Sequence, residues 1–268
     1  MCSEGGPLRP ASSLRPGGEL LMSKAYANSP IVEAVCEFRF QEDPRWDLTI
    51  PGLAYEKLKD EFPDREQRLL QQTKVTSGPQ GKVEQELLVE ERVVFLSRDK
   101  NSFVQLGRGV LSIHCLKPYP RWSGFAPKIE RSLGILTGIL GDPHIGRIGL
   151  RYVNRIEFPD SPVDLDAYFE FKPLLGKRLP QTMSSFVIAC VFPFSAGRDS
   201  CRLHLATGVA EDKREGPVLL DIDFFVNDPG AVPIEDAMQW VGYAHEEVEL
   251  LFEGCITDRL RLVFGEVA

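Results

Sequence analysis

Three arginines, Arg147, Arg151 and Arg155, recur at every fourth position of the stretch R-I-G-L-R-Y-V-N-R-I-E-F. Residues an even number apart share one face of an extended strand, so this spacing predicts a row of three guanidiniums. A guanidinium fork suits phosphate and carboxylate equally well. The row can therefore grip an anionic partner, or it can be neutralised by acidic neighbours. Glu33 and Glu37, which share a face of an earlier strand, are the expected neutralising partners. Asn154 falls on the opposite, apolar face of the same stretch, and a buried amide must find hydrogen bonds. It either locks a loop or reads a ligand. These four residues are the candidate binding set.

Other constellations are less complete. Asp221 and Asp223 share a face of L-L-D-I-D-F-F, and two such carboxylates can hold a divalent ion or polarise a nucleophile. No third ligand stands at a recognisable spacing, and a solvated strand face explains them as well. The four histidines, His114, His144, His204 and His245, are dispersed. Cys201 and His204 have C-x-x-H spacing, but three residues apart on a strand means opposite faces. His245 lies in the apolar stripe of a long helix, where a hydrogen-bonded core histidine is expected. Ser184, Ser185 and Ser195 lack a nucleophile elbow, and Gly107-Arg108-Gly109 reads as a turn and matches no phosphate loop. Tyr119, Trp122 and Phe125 can stack on bases, but at the start of a helix they read as core. No catalytic residue, metal ligand or cofactor site is assigned.

The elements that position these residues follow from periodicity. Strict alternation over 31–40 predicts a strand. A short helix near 53–62 follows, ended by Pro63. Extended stretches are expected at about 65–75, 84–98 and 102–116, then a helix over 122–140 with apolar residues at spacings of three and four. The second half repeats this order: a strand at 147–158, a short helical piece at 163–171, and strands near 183–193, 200–209 and 217–226. A long helix over 233–253 comes next, with Ala237, Met238, Val241, Ala244, Val248, Leu251 and Phe252 as its stripe, then a short helix at 256–264. Each half reads β-α-β-β-β-α. The predicted fold is therefore α+β, an internal duplication of that unit giving curved antiparallel sheets, each backed by a long helix. Residues 22–145 and 146–268 form the halves of one continuous globular domain. Residues 1–21, rich in Gly, Pro, Ser and Arg, read as a disordered extension, and translation can start at Met1 or Met22.

Composition narrows the function classes. Of the 268 residues, 31 are Lys or Arg and 39 Asp or Glu, a net charge of −8 that gives no global attraction to nucleic acid or anionic membrane. No apolar run is long enough for a membrane span. The six cysteines form no C-x-x-C pair and most sit within apolar patterns, so they read as packing residues in a reducing, cytoplasmic setting.

Several motifs resemble a sporadically distributed, uncharacterised family of bacterial and archaeal proteins of similar size. Asn28-Ser29-Pro30-Ile31-Val32-Glu33-Ala34 is similar to that family's N-P-P-I-x-E-A opening, with Ser29 in place of the first proline. The match continues through Gln105-Leu106-Gly107, Tyr119-x-x-Trp122-x-x-Phe125 and Gly149-Leu150-Arg151-Tyr152-x-Asn154-Arg155. It resumes at Leu220-Asp221-Ile222-Asp223, His245, Phe252 and Ile256-Thr257-Asp258-x-Leu260-Arg261. The resemblance implies no activity, and the family's patchy occurrence looks like that of genes on mobile or defence-related islands. The expected function is a non-enzymatic binding or regulatory protein whose saddle-like sheet presents a surface to a protein partner. The alternatives are a nucleic-acid-binding or processing subunit and a metal-dependent hydrolase using Asp221 and Asp223. The oligomeric state is left open.

Overall fold

The computed structural model describes residues 24–41, 45–77, 83–158, 163–181, 183–209 and 216–267. In chain order the strands are β1 (Ala25–Tyr26), β2 (Ile31–Phe40), β3 (Asp64–Ser77), β4 (Val83–Leu96), β5 (Ser102–Gly107), β6 (Val110–Leu116), β7 (Ile145–Ile156), β8 (Val187–Phe194), β9 (Asp199–Thr207), β10 (Val218–Val226) and β11 (Glu266–Val267). The helices are α1 (Ile50–Leu58), α2 (Trp122–Leu140), α3 (Leu165–Tyr168), α4 (Ala237–Cys255) and α5 (Asp258–Phe264).

Nine strands form one antiparallel sheet in the order β3-β4-β5-β6-β2-β7-β10-β9-β8. The expected pair of curved sheets is therefore a single sheet, because β2 and β7 pair along their length and leave no edge between the halves. The expected strand over 102–116 is two strands, since the chain reverses at Gly109, whose φ of 68° is in the left-handed region that glycine reaches without a Cβ clash. The first half consequently holds one strand more than the second. The extension over 1–21 lies outside the described residues.

One face of the sheet is covered by helices. Alternation decides which side chains go there: Ala34, Cys36 and Phe38 of β2, Ile148, Leu150 and Tyr152 of β7, and Leu220, Ile222 and Phe224 of β10 are buried. Phe125, Ile129, Leu133, Leu136 and Leu140 of α2 lie against them as the spacing predicts. On α4 the buried stripe is Ala237, Trp240, Val241, Ala244, His245, Val248 and Leu251. Trp240, absent from the expected stripe, is fully buried, whereas Met238 and Phe252 are only partly covered. Each large apolar side chain buried this way contributes about 1.5–3 kcal/mol. Cys36, Cys115, Cys201 and Cys255 are packing residues as expected, while Cys190 is exposed and Cys2 lies outside the described residues.

The two ends of the described chain meet. β1 pairs with β11, and the Tyr26 hydroxyl donates to Glu253 at 2.7 Å. Glu253 is nearly fully buried, and Arg261 supplies its countercharge at 2.8 Å while also donating to the Glu253 carbonyl at 2.6 Å. Thr257 caps α5 by accepting from the Leu260 N–H, and Gly265, with φ of 69°, ends it. Among the described residues, no helix is long and apolar enough to cross a membrane.

Candidate functional site

The face of the sheet opposite the helices carries the residues of the other parity. Glu33, Val35, Glu37 and Arg39 of β2 stand beside Arg147, Gly149, Arg151 and Val153 of β7, and these beside Leu219, Asp221, Asp223 and Phe225 of β10. Arg202 of β9 lies directly opposite Asp223, and His204 opposite Asp221. The arginine row thus exists as the spacing predicts, on the open face of the central strands.

Every member of that row has an acidic partner. Arg151 makes a two-pronged contact with Asp221, Nε to Oδ1 at 2.7 Å and Nη2 to Oδ2 at 2.6 Å, which raises the guanidinium's pKa. Arg147 stands 3.4 Å from Glu37 and 3.7 Å from Asp223. Arg155 pairs with Glu157 at 3.3 Å. Arg39 donates to Glu37 at 2.7 Å, and Arg202 reaches Asp223 at 3.8 Å. The Phe225 ring lies between two guanidiniums, with Arg147 at 4.8 Å and Arg202 at 5.7 Å from its centroid.

The expected pairing with the first strand is half right. Glu37 does meet Arg147, but Glu33 is engaged elsewhere: His114 Nδ1 donates to it at 2.9 Å, and this bond holds its pKa below the ordinary carboxylate value. The reason is register, since His114 faces Val35 on β6 and so lies one step from Glu33. His114 also contacts Ser112 at 2.9 Å and stacks on Phe103 at 4.2 Å. Arg151 turns instead to Asp221, a residue that the spacing had suggested as half of a metal site. Asp223 is mostly covered, and burial raises its pKa against the opposing pull of Arg147, Arg151 and Arg202. Both carboxylates are thus engaged with arginines, and among the described residues no three His, Cys, Asp or Glu side chains are placed to share a metal ion.

No family model and no curated protein matches the chain.

Asn154 is buried on the helix side and donates to the Leu220 carbonyl at 3.1 Å. It ties β7 to β10. Cys201 and His204 lie on opposite faces, as their spacing requires.

A second polar cluster lies within the helix-covered side. Tyr119 and Tyr152 hydroxyls are 3.0 Å apart, Tyr152 lies 3.2 Å from His245 Nδ1, and His245 Nε2 lies 3.3 Å from Glu249. The Tyr152–Nδ1 contact is a hydrogen bond, whereas Glu249 stands near Nε2 as a charged neighbour. The Trp122 ring stacks on the imidazole at 4.0 Å. Burial lowers the His245 pKa to about 4 and raises those of Tyr119 and Tyr152. At neutral pH the hydrogen-bonded chain from Tyr119 through Tyr152 to His245 is uncharged, and it binds α4 to β7 and to the segment leading into α2. Tyr119, Trp122 and Phe125 are committed to this packing, which leaves the tyrosine and tryptophan rings no open stacking surface on the sheet face.

Several of these residues were not singled out from the sequence. Arg202 and Phe225 share strand parity with Ser200 and Asp223, which was available as a signal. The Tyr152–His245 contact joins residues 93 positions apart and had no local signature.

Proposed function

We propose that this chain is a non-enzymatic binding module that presents the open face of its sheet to another protein. The observation that carries this reading is the arrangement at the centre of that face: guanidiniums held in place by neighbouring carboxylates, two of them flanking Phe225, and still reachable, with the Arg151 side chain 50% exposed. Arginine and aromatic side chains are enriched where protein partners dock, and pre-paired side chains lose little freedom on binding.

Charge balance favours a protein over a nucleic acid. On the central strands and at the end of β7, five arginines (Arg39, Arg147, Arg151, Arg155, Arg202) meet five carboxylates (Glu33, Glu37, Glu157, Asp221, Asp223). A polyphosphate backbone needs a net cationic track, whereas a protein of mixed charge can exchange ion pairs with such a surface. We also read the two halves as an internal duplication. Support comes from the strand sequence running outward from the central pair: β2-β6-β5-β4-β3 on one side, β7-β10-β9-β8 on the other.

The experiment is recovery of partners from the native host with the wild-type chain and with an Arg151→Glu, Arg202→Glu double variant. In parallel, both are titrated with single- and double-stranded nucleic acid over a range of salt. Proteins retained by the wild type and lost by the double variant, with no nucleic-acid binding, are the expected result. A steep salt-dependent nucleic-acid affinity abolished by the same variant would replace the protein reading, and equal recovery by both chains would remove the open face from consideration.

A further inference from the structure

The two edges of the sheet are built differently. The described part of β3 opens with Asp64-Arg65-Glu66-Gln67-Arg68, and charged side chains of this kind discourage a second strand from adding on. The other edge, β8, is Val-Ile-Ala-Cys-Val-Phe-Pro-Phe and has no charge at all. Nearly all of it is exposed on both faces: Val187 is 69% exposed, Val191 57% and Phe192 40%. Three of the eleven large apolar side chains exposed among the described residues, Val187, Val191 and Phe192, lie on this one strand. Such a concentration marks an association surface.

The ladder shows which backbone groups are offered. Thr207 N donates to the Phe186 carbonyl, and Val187 lies opposite Ala206. Alternation then turns the backbone of Ile188, Cys190 and Phe192 towards β9 and that of Val187, Ala189 and Val191 outward. Pro193 falls on the outward set, the only parity at which its missing N–H breaks no bond to β9.

We propose that β8 pairs antiparallel with β8 of a second copy of this chain across a two-fold axis, extending the sheet through both molecules. The absence of charge selects this occupant: a strand placed against itself doubles every charge it carries, and this one has none to double. With the axis at Ala189, Val187 of one copy faces Val191 of the other, an equal pairing of β-branched side chains. Pro193 is then left outside the new ladder. On the helix side the second copy's Phe186 falls opposite Phe192, at the mouth of a groove of about 470 Å³ lined by Phe171, Phe192, Phe194, Leu203 and Leu251. The open face remains free in this dimer, so the inference stands apart from the proposed docking function.

The test is the solution mass of the full chain, with Cys190 as a reporter in a Cys2→Ser background. Cys190 is exposed, and the proposed register brings it diagonal to the second copy's Cys190, about 7–8 Å apart. The expected result is a species of twice the 30.0 kDa chain mass that a short bismaleimide cross-links. Val191→Lys would introduce an unpaired cation twice per interface and raise the dissociation constant about 100-fold or more. It should yield an uncross-linked monomer that still unfolds cooperatively, with a melting temperature that no longer depends on protein concentration. Ala189→Pro, which removes only an outward N–H, gives the same outcome if the lysine variant fails to fold. A dimer that survives both substitutions overturns the proposal, as does a wild-type monomer at all concentrations. In a monomer, a shielded Cys190 would show that the chain covers its own edge, and a reactive one that the edge stays open in solution.

Discussion

His245→Phe isolates the contribution of the buried imidazole to stability and makes that contribution depend on pH. Burial lowers the His245 pKa from 6.5 to about 4, so between these values the unfolded chain binds a proton that the folded chain refuses. Stability linked to this group is complete above pH 6.5 and is lost as pH falls towards 4. The displacement corresponds to about 3 kcal/mol. Of the groups facing the ring, Tyr119 and Tyr152 stay neutral throughout this range, while Glu249, 3.3 Å from Nε2, favours the protonated form and makes about 3 kcal/mol an upper bound. At pH 7 the phenylalanine keeps the stack on Trp122 but loses the hydrogen bond to Tyr152, leaving that buried hydroxyl short of a partner at a cost of about 1–3 kcal/mol. Urea unfolding of both proteins from pH 7.5 to 4 measures the difference directly, because the titration of other carboxylates is common to both. The variant should be the less stable at pH 7, and the gap should close or reverse by about 2–3 kcal/mol towards pH 4. A gap that is constant with pH would refute the buried neutral histidine. One that widens on acidification would show that Glu249 holds the ring protonated.

The remaining predictions concern the two ion-pair systems, which differ in burial. Arg151→Ala should cost under about 1 kcal/mol, because the guanidinium is half exposed. A cycle with Asp221→Ala should give a coupling of about 0.5–1 kcal/mol, and a loss of 3 kcal/mol or more would contradict an open face. Arg261→Ala should cost about 3–5 kcal/mol, since it strands the buried Glu253 carboxylate with only the Tyr26 hydroxyl for support. Thermal and urea melts check this, and a loss under about 1 kcal/mol would mean that the termini are not closed by this cluster.

Local pattern was a sound guide wherever one periodicity ran uninterrupted. The strand at 31–40 and the helix at 122–140 follow from alternation and from the three-and-four spacing, because those patterns are the requirement that one face be buried. The splitting of 102–116 was half legible: Gly107-Arg108-Gly109 reads as a turn, but the apolar residues on both sides of it bound the stretch as one, and only the pairing of Gly107 with Val110 shows two strands. Trp240 escaped the α4 stripe because one position along a helix shifts a side chain by a third of a turn, and the stripe is wider than the residues chosen for it. At the site, the shared face of Arg147, Arg151 and Arg155 was legible. Their partners were only half legible, since an ion pair between adjacent strands depends on register.

What the sequence determined by itself is therefore parity and period: which side chains share a face, which segments bend, and that acidic residues outnumber basic ones. The tertiary structure decided adjacency. Pairing of β7 with β10 set Arg151 against Asp221 and turned a candidate cation row and a candidate metal pair into one neutral lattice. Packing of α4 on β7 brought His245 to Tyr152 and committed both to the interior. The order of strands left β8 at an edge with no charge to guard it. These are contacts between residues tens to more than two hundred positions apart, and they arise from the way the sheet closes on its helices, which no local window of the chain encodes.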